Sequence, residues 1–155
     1  MMLSEILSKE RILFDVKFSN KEEAITALVE TLKGNPQVSD IEEIKKSVLE
    51  RERILSTGVG NGFAIPHAKT PAVDGFLLAV AKLSEPLDFE SHDGKPVKMI
   101  FLLVGKENLV GEHIKMLSRI SRLINNEEFR EKIFNASSAD ELFEMLKEEE
   151  NKYFS

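Results

Sequence analysis

The chain predicts an α/β fold, one sheet with helices packed on both of its faces. Three observations carry this. Residues Phe76–Leu83 (FLLAVAKL) and Val97–Val104 (VKMIFLLV) are almost wholly apolar, the pattern of strands covered on both sides. Helical stripes occur before and after these runs, so helices and strands are intermixed along the chain. No repeat, linker or low-complexity block divides the 155 residues. That length suits a single domain, 1–155, with a real core.

The elements follow in order. Leu3–Leu7 reads as a helical turn and Arg11–Val16 as a short strand. Ser19 to Glu23 offers a helix start with capping-box spacing. Ile25, Leu28, Val29 and Leu32 follow at i, i+3, i+4 and i+7, one helical face. Gly34-Asn35-Pro36 ends that helix. Ser39 to Glu42 repeats the capping spacing, and Ile41, Ile44 and Val48 mark the inward stripe of a second helix. Arg51 continues the stripe, three residues after Val48. Two readings of Arg51 stand open. Its guanidinium caps the last carbonyls of the helix, or it points into a site built where the helix ends.

The two apolar runs are expected to be the central strands. Between them, Pro86–Glu90 reads as a short strand and Asp93-Gly94 as a turn. Gly105–Gly111 reads as a loop, with a helix from about Glu112. Met116, Leu117, Ile120 and Ile124 form its inward stripe, and His113 lies on that stripe at the helix start. Glu127 opens a short helix ending near Phe134. Ser138 to Glu141 opens a last one, with Leu142, Met145 and Leu146 inward. The charged tail is expected to fray from about residue 148.

Composition narrows the function. The net charge is −6, with 21 basic and 27 acidic residues and no basic run, which argues against a nucleic-acid surface. The chain has no cysteine, so disulfides, thiolate zinc sites and a cysteine nucleophile within it are excluded. No segment approaches the roughly 18 apolar residues of a membrane span, and MMLSEILSKER lacks the features of a signal peptide. The default expectation is a cytoplasmic protein with no direct membrane insertion.

One stretch carries chemistry: Arg51–Lys69, RERILSTGVGNGFAIPHAK. Glycines at 58, 60 and 62 permit tight turns and close approach. Pro66 has no N–H and is expected to end the strand ladder just before His67. The path presents one imidazole on a constrained backbone. A phosphate-carrying imidazole must attack as the neutral base, with one ring nitrogen free and the other N–H held by an acceptor. Phosphoryl transfer then needs positioning and donors for the equatorial oxygens. Arg51, the Gly58–Gly62 turn and His113 at a helix start supply such donors, and Thr57 offers a hydroxyl. The glycines match neither a dinucleotide nor a Walker pattern, and no HExxH or Cys/His metal pattern is present. A metal site and a nucleotide-binding loop are therefore not expected. His92, in SHDG, is read as an exposed turn residue without a role.

These residues resemble a known family. The signature STGVGNGFAIPHAK, the opening LSEILSKERI, the strand DGKPVKMIFLLV, the helix GEHIKMLSRISRLI and the closing SSADELFEML are similar to enzyme IIA of the fructose/mannitol type. That family belongs to the phosphoenolpyruvate-dependent sugar phosphotransferase system and has a mixed sheet flanked by helices. The resemblance implies that His67 is the phosphorylated histidine. It also implies that Arg51 binds phosphate and that His113 is a second active-site histidine. Thr57 and Gly62 are expected to contribute to phosphate binding. It implies a relay in which the phosphocarrier protein HPr donates to His67, and His67 passes the phosphoryl group to a cysteine of an enzyme IIB in trans. The implied protein is a free-standing IIA. His67-Ala68-Lys69 looks fructose-like. The STGVGNG turn is shared with the nitrogen-regulatory branch, which acts through protein partners. A ligand-binding or structural domain without transfer activity is a third class, and the intact Arg51/His67/His113 set argues against it.

Overall fold

The computed structural model describes residues 1–154. Helix α1 (Leu3–Ile6) leads into strand β1 (Leu7–Val16). Helices α2 (Lys21–Glu30) and α3 (Ile41–Ile54) precede the short strands β2 (Gly58–Gly60), β3 (Phe63–Ala64) and β4 (His67–Thr70). The long strands β5 (Phe76–Leu87) and β6 (Val97–Lys106) follow, and then helices α4 (Val110–Ile124), α5 (Glu127–Phe134) and α6 (Ala139–Phe154).

The sheet order is β1-β5-β6-β3-β2, with β4 also paired to β6. It is mixed: β1 runs parallel to β5, β5 antiparallel to β6, and both β3 and β4 parallel to β6. The two apolar runs are the central strands, as expected, because each needs cover on both faces. Alternation along them sorts the core into two layers. Phe76, Leu78, Val80, Met99, Phe101 and Leu103 face α1, α4, α5 and α6. Leu77, Ala79, Ala81, Ile100, Leu102 and Val104 face α2 and α3.

Most helix starts follow from their caps. Asn20 accepts from the Glu23 N–H at 2.8 Å, and Asn126 accepts from the Phe129 N–H at 2.9 Å. Helix α3 is capped by Asp40, which accepts from the Glu43 N–H, one residue later than the Ser39 expectation. Each side chain satisfies one of the orphan donors of a first turn. The sixth helix starts as the Ser138 spacing implies, with Ser138 Oγ accepting from the Glu141 N–H at 3.0 Å.

Three expectations are corrected. Pro86–Glu90 is not a separate strand: β5 runs on to Leu87 with a break in register between Lys82 and Leu87. Helix α4 begins at Val110 rather than Glu112, without a side-chain cap. The charged tail does not fray at about 148; α6 stays helical to Phe154. Glu150 explains this, because it is buried and accepts the N–H groups of Leu3 and Ser4. A carboxylate there satisfies the start of α1 and ties the tail to the N-terminus.

Candidate active site

Pro66 interrupts the strand but does not end it. Phe63 is registered with Met99 and Ala64 with Ile100; beyond the break, His67 is registered with Leu103 and Ala68 with Val104. The offset between partners is unchanged, so β3 and β4 form one line along β6. The Pro66 carbonyl still accepts from the Leu103 N–H at 3.0 Å. The expectation that the ladder stops before His67 is therefore corrected. Losing one N–H breaks one rung, and the flanking carbonyl keeps the register.

This placement orients His67. Its strand partner Leu103 faces the α4 layer, and side chains paired across neighbouring strands share a face. Lys69, two residues on, points to the same side. His113, on the first turns of α4, comes down on that side. The two imidazole centroids are 5.6 Å apart with their planes at 53°. Gly105 makes room for this, since a Cβ there would collide with Phe76 and come within 3.1 Å of His113 Nδ1.

From the other face of the sheet, the end of α3 reaches around the β4 edge and supplies Arg51. Arg51, His67, Lys69 and His113 line one open hollow of about 400 Å³, with Ile54 and Ile114 on its rim. The two readings of Arg51 coexist. Nη1 donates to the Leu55 carbonyl at 2.8 Å, which caps the helix. A guanidinium has five N–H donors, so this use leaves others for an anion in the hollow.

The two histidines differ in their partners. His67 Nδ1 lies 2.8 Å from the Ile65 carbonyl oxygen. A carbonyl only accepts, so Nδ1 carries the proton and Nε2 keeps its lone pair. Burial lowers the His67 pKa first; the Ile65 carbonyl opposes that, Arg51 lowers it, Glu52 raises it and Lys69 lowers it. His113 is 3% exposed, and neither of its ring nitrogens has a hydrogen-bond partner. Burial, then repulsion from His67 when it is protonated and from Lys69, push its pKa down to about 4. Both rings are therefore neutral at pH 7, the form a nitrogen nucleophile requires.

Thr57 and Gly62, expected to contribute to phosphate binding, do not line this hollow. Thr57 is 4% exposed, and its hydroxyl and N–H both donate to the Glu52 carboxylate. No donor is left on that side chain for a ligand. Gly62 sits in the β2–β3 turn with φ +86°, where an added Cβ would lie 3.2 Å from Phe134. Its carbonyl accepts from the Lys98 and Met99 N–H groups. Its role is conformational, at a turn that L side chains rarely adopt. His92 is exposed, and its Nε2 is 3.0 Å from the Ser56 carbonyl.

Sequence reasoning missed two residues at the site. Lys69 was legible as the i+2 neighbour of His67 on a strand. Glu52 was legible too, four residues after Val48 and eight after Ile44, on the same stripe as Arg51. At that turn the inward residue is Glu52, and Arg51 is half-buried. Among the described residues no group of three or more His, Cys, Asp or Glu is placed to hold a metal ion. Among the described residues no helix is long and apolar enough to cross a membrane.

A mixed sheet that gathers two neutral imidazoles and a guanidinium around one hollow defines a class that accords with sequence comparison. The chain belongs to the family described as phosphoenolpyruvate-dependent sugar phosphotransferase system, EIIA 2, whose model matches residues 5–149. It is 34% identical over 94% of its length to the fructose-specific EIIABC component of Bacillus subtilis (strain 168), and spans 23% of that relative. It is 33% identical over 94% of its length to a nitrogen regulatory protein of Bradyrhizobium diazoefficiens, 95% of which it covers. Its fold is similar to nitrogen regulatory protein IIA-Ntr from Neisseria meningitidis, with TM-score 0.87, 31% identity, and 93% and 98% of the two chains covered. The chain spans only a small part, 17 to 23%, of the first curated relatives it matches.

Proposed function

We propose that this protein is a histidine phosphocarrier and that His67 Nε2 takes up and hands on the phosphoryl group. The observation that carries the reading is the 2.8 Å contact between His67 Nδ1 and the Ile65 carbonyl. It leaves Nε2 as the nucleophile at the wall of the hollow.

The Nε2 lone pair attacks the phosphorus of a phosphorylated donor histidine. The new N–P bond forms as the old one breaks, and the leaving pair stays on the donor nitrogen. His67 keeps its Nδ1 proton, so its ring becomes cationic while the Ile65 carbonyl holds that proton. Charge on the equatorial oxygens is met by Arg51 and Lys69, and by whichever ring N–H neutral His113 carries. A thiolate acceptor reverses the geometry: an S–P bond forms, and the electron pair returns to Nε2.

The donor we assign is HPr, and the acceptor a cysteine of a IIB component in trans. The rim supports protein partners over a small molecule, because Ile54 is 80% and Ile114 62% exposed beside the hollow. Large exposed apolar side chains around a charged site suit a docked surface. The function we favour is fructose-type sugar uptake, supported by the His67-Ala68-Lys69 sequence and by similarity to a fructose-specific relative. A nitrogen-regulatory role, acting through protein partners according to phosphorylation state, is supported by the TM-score of 0.87 to IIA-Ntr.

Two experiments test this. Phosphoenolpyruvate with enzyme I and HPr should place acid-labile, base-stable phosphate on the parent and none on His67→Ala; label retained on that variant would falsify His67 as carrier. The phosphorylated protein is then offered to a panel of IIB domains. Rapid transfer to a fructose-type IIB supports uptake. Transfer to none, with a partner captured only in one phosphorylation state, supports regulation.

A further inference from the structure

Glu52 is a buried carboxylate beside the site, 4% exposed, yet the transfer step above gives it no part. Both of its oxygens are engaged. Oε1 accepts from the Thr57 hydroxyl, and Oε2 accepts from the Thr57 N–H at 2.9 Å and from Lys21 Nζ at 3.2 Å. Three hydrogen bonds, one of them from a cation, make a buried charge tolerable. They also fix Thr57 from two directions.

Thr57 passes that constraint on. Its carbonyl accepts from the Ile65 N–H at 2.9 Å. Ile65 in turn offers the carbonyl that holds His67 Nδ1 at 2.8 Å. A short run of bonds thus leads from the α3 carboxylate, across the β2 entry loop, to the proton on the imidazole. The path crosses two Cα atoms, so it transmits position rather than electronic polarisation. It works at the point where Pro66 has removed a rung, so the ladder alone does not secure Ile65.

We propose that Glu52 is the positioning residue of this site: through Thr57 it sets the Ile65 carbonyl that holds the Nδ1 proton of His67 and frees Nε2. The inference rests on the phosphocarrier reading for its purpose, but not for its geometry. Glu52 has a second effect of the same sign. When Nε2 bonds to phosphorus with Nδ1 still protonated, the ring carries positive charge, and a buried carboxylate nearby favours that state. Glu52 is one of several charged groups around the ring. Glu50 and Arg51 come from α3, Lys69 from its own strand and His113 from α4. Of these, Arg51 and Lys69 oppose it and Glu52 supports it.

The test uses the full chain with Glu52→Gln and Glu52→Ala. The His67 tautomer and its titration are read from nitrogen-15 chemical shifts. Neither readout requires phosphate, so a failure of the phosphocarrier reading leaves this test intact. Parent protein should show the Nδ1–H tautomer alone. Glu52→Ala should show both tautomers and accept phosphate from phospho-HPr about 100-fold more slowly, the cost of a displaced nucleophile. Glu52→Gln keeps an acceptor for Thr57 but loses the charge. It should retain the tautomer while the His67 pKa falls. A folded Glu52→Ala with an unchanged tautomer overturns the proposal. If Glu52→Ala does not fold, Glu52→Asp, which draws the carboxylate back from Thr57, decides, and an unchanged His67 tautomer there overturns it equally.

Discussion

His113 is the residue where stability and function should pull apart, and its replacement by leucine exposes both. The imidazole is buried with two unpartnered nitrogens, and its pKa is lowered from 6.5 to about 4. A group whose folded pKa lies below its unfolded value resists protonation only in the folded state. Its neutral form is accommodated above pH 6.5. As pH falls from there toward 4, the unfolded chain takes up a proton that the folded chain refuses, and stability is lost. At about 1.4 kcal/mol per pH unit, that window costs roughly 3 kcal/mol. His67, whose pKa is also lowered, adds to the loss in the same direction. Leucine at 113 removes the His113 share. It also removes two buried polar atoms without partners, worth about 1–3 kcal/mol at pH 7. The assay is urea unfolding of parent and His113→Leu at pH 7.5 and pH 4.5. The variant should be more stable at both, with the larger gain at pH 4.5, and should transfer phosphate about 100-fold more slowly. A variant less stable than the parent at pH 7.5, with the same loss on acidification, would refute the reasoning. His113 would then be an ordinary core residue.

Arg51→Ala should slow phosphate uptake and delivery alike, by about 100-fold, because the same oxygens are neutralised in both directions; stopped-flow rates equal to the parent would reduce Arg51 to its Leu55 cap. Gly62→Ala should destabilise by about 1–2 kcal/mol, as a left-handed position must, while leaving the transfer rate unchanged. A selective loss of rate in that variant would restore Gly62 to the phosphate site. Glu150→Ala should cost about 1–3 kcal/mol by orphaning the Leu3 and Ser4 N–H groups, and amide exchange at those two positions should rise sharply; protected amides would mean the tail is not held there.

The architecture was legible where periodicity dictates packing. The runs at 76–83 and 97–104 had to be central, because nothing polar along them tolerates a wet face. Helix stripes at Ile25–Leu32 and Met116–Ile124 pointed inward for the same reason. The site was half legible. Arg51 and His113 stood out as charged or titratable groups on apolar stripes, and His67 by its constrained backbone. What remained hidden depends on partners distant in sequence. Thr57 looked like a free hydroxyl until Glu52 was seen to hold it. Gly62 looked like a ligand contact, but it sits in a left-handed turn beside Phe134, outside the hollow. Pro66 looked like a strand end, and only the β6 register shows the ladder resuming. Glu150 gave no local sign that it would reach the other end of the chain.

The atom that carries phosphate tests the mechanism most directly. Protein phosphorylated by phospho-HPr, with nitrogen-15 in its imidazoles, should show phosphorus coupled to Nε2 of His67 and the proton retained on Nδ1. Coupling at Nδ1 of His67, or at His113, would contradict the hydrogen-bond geometry from which the mechanism is built.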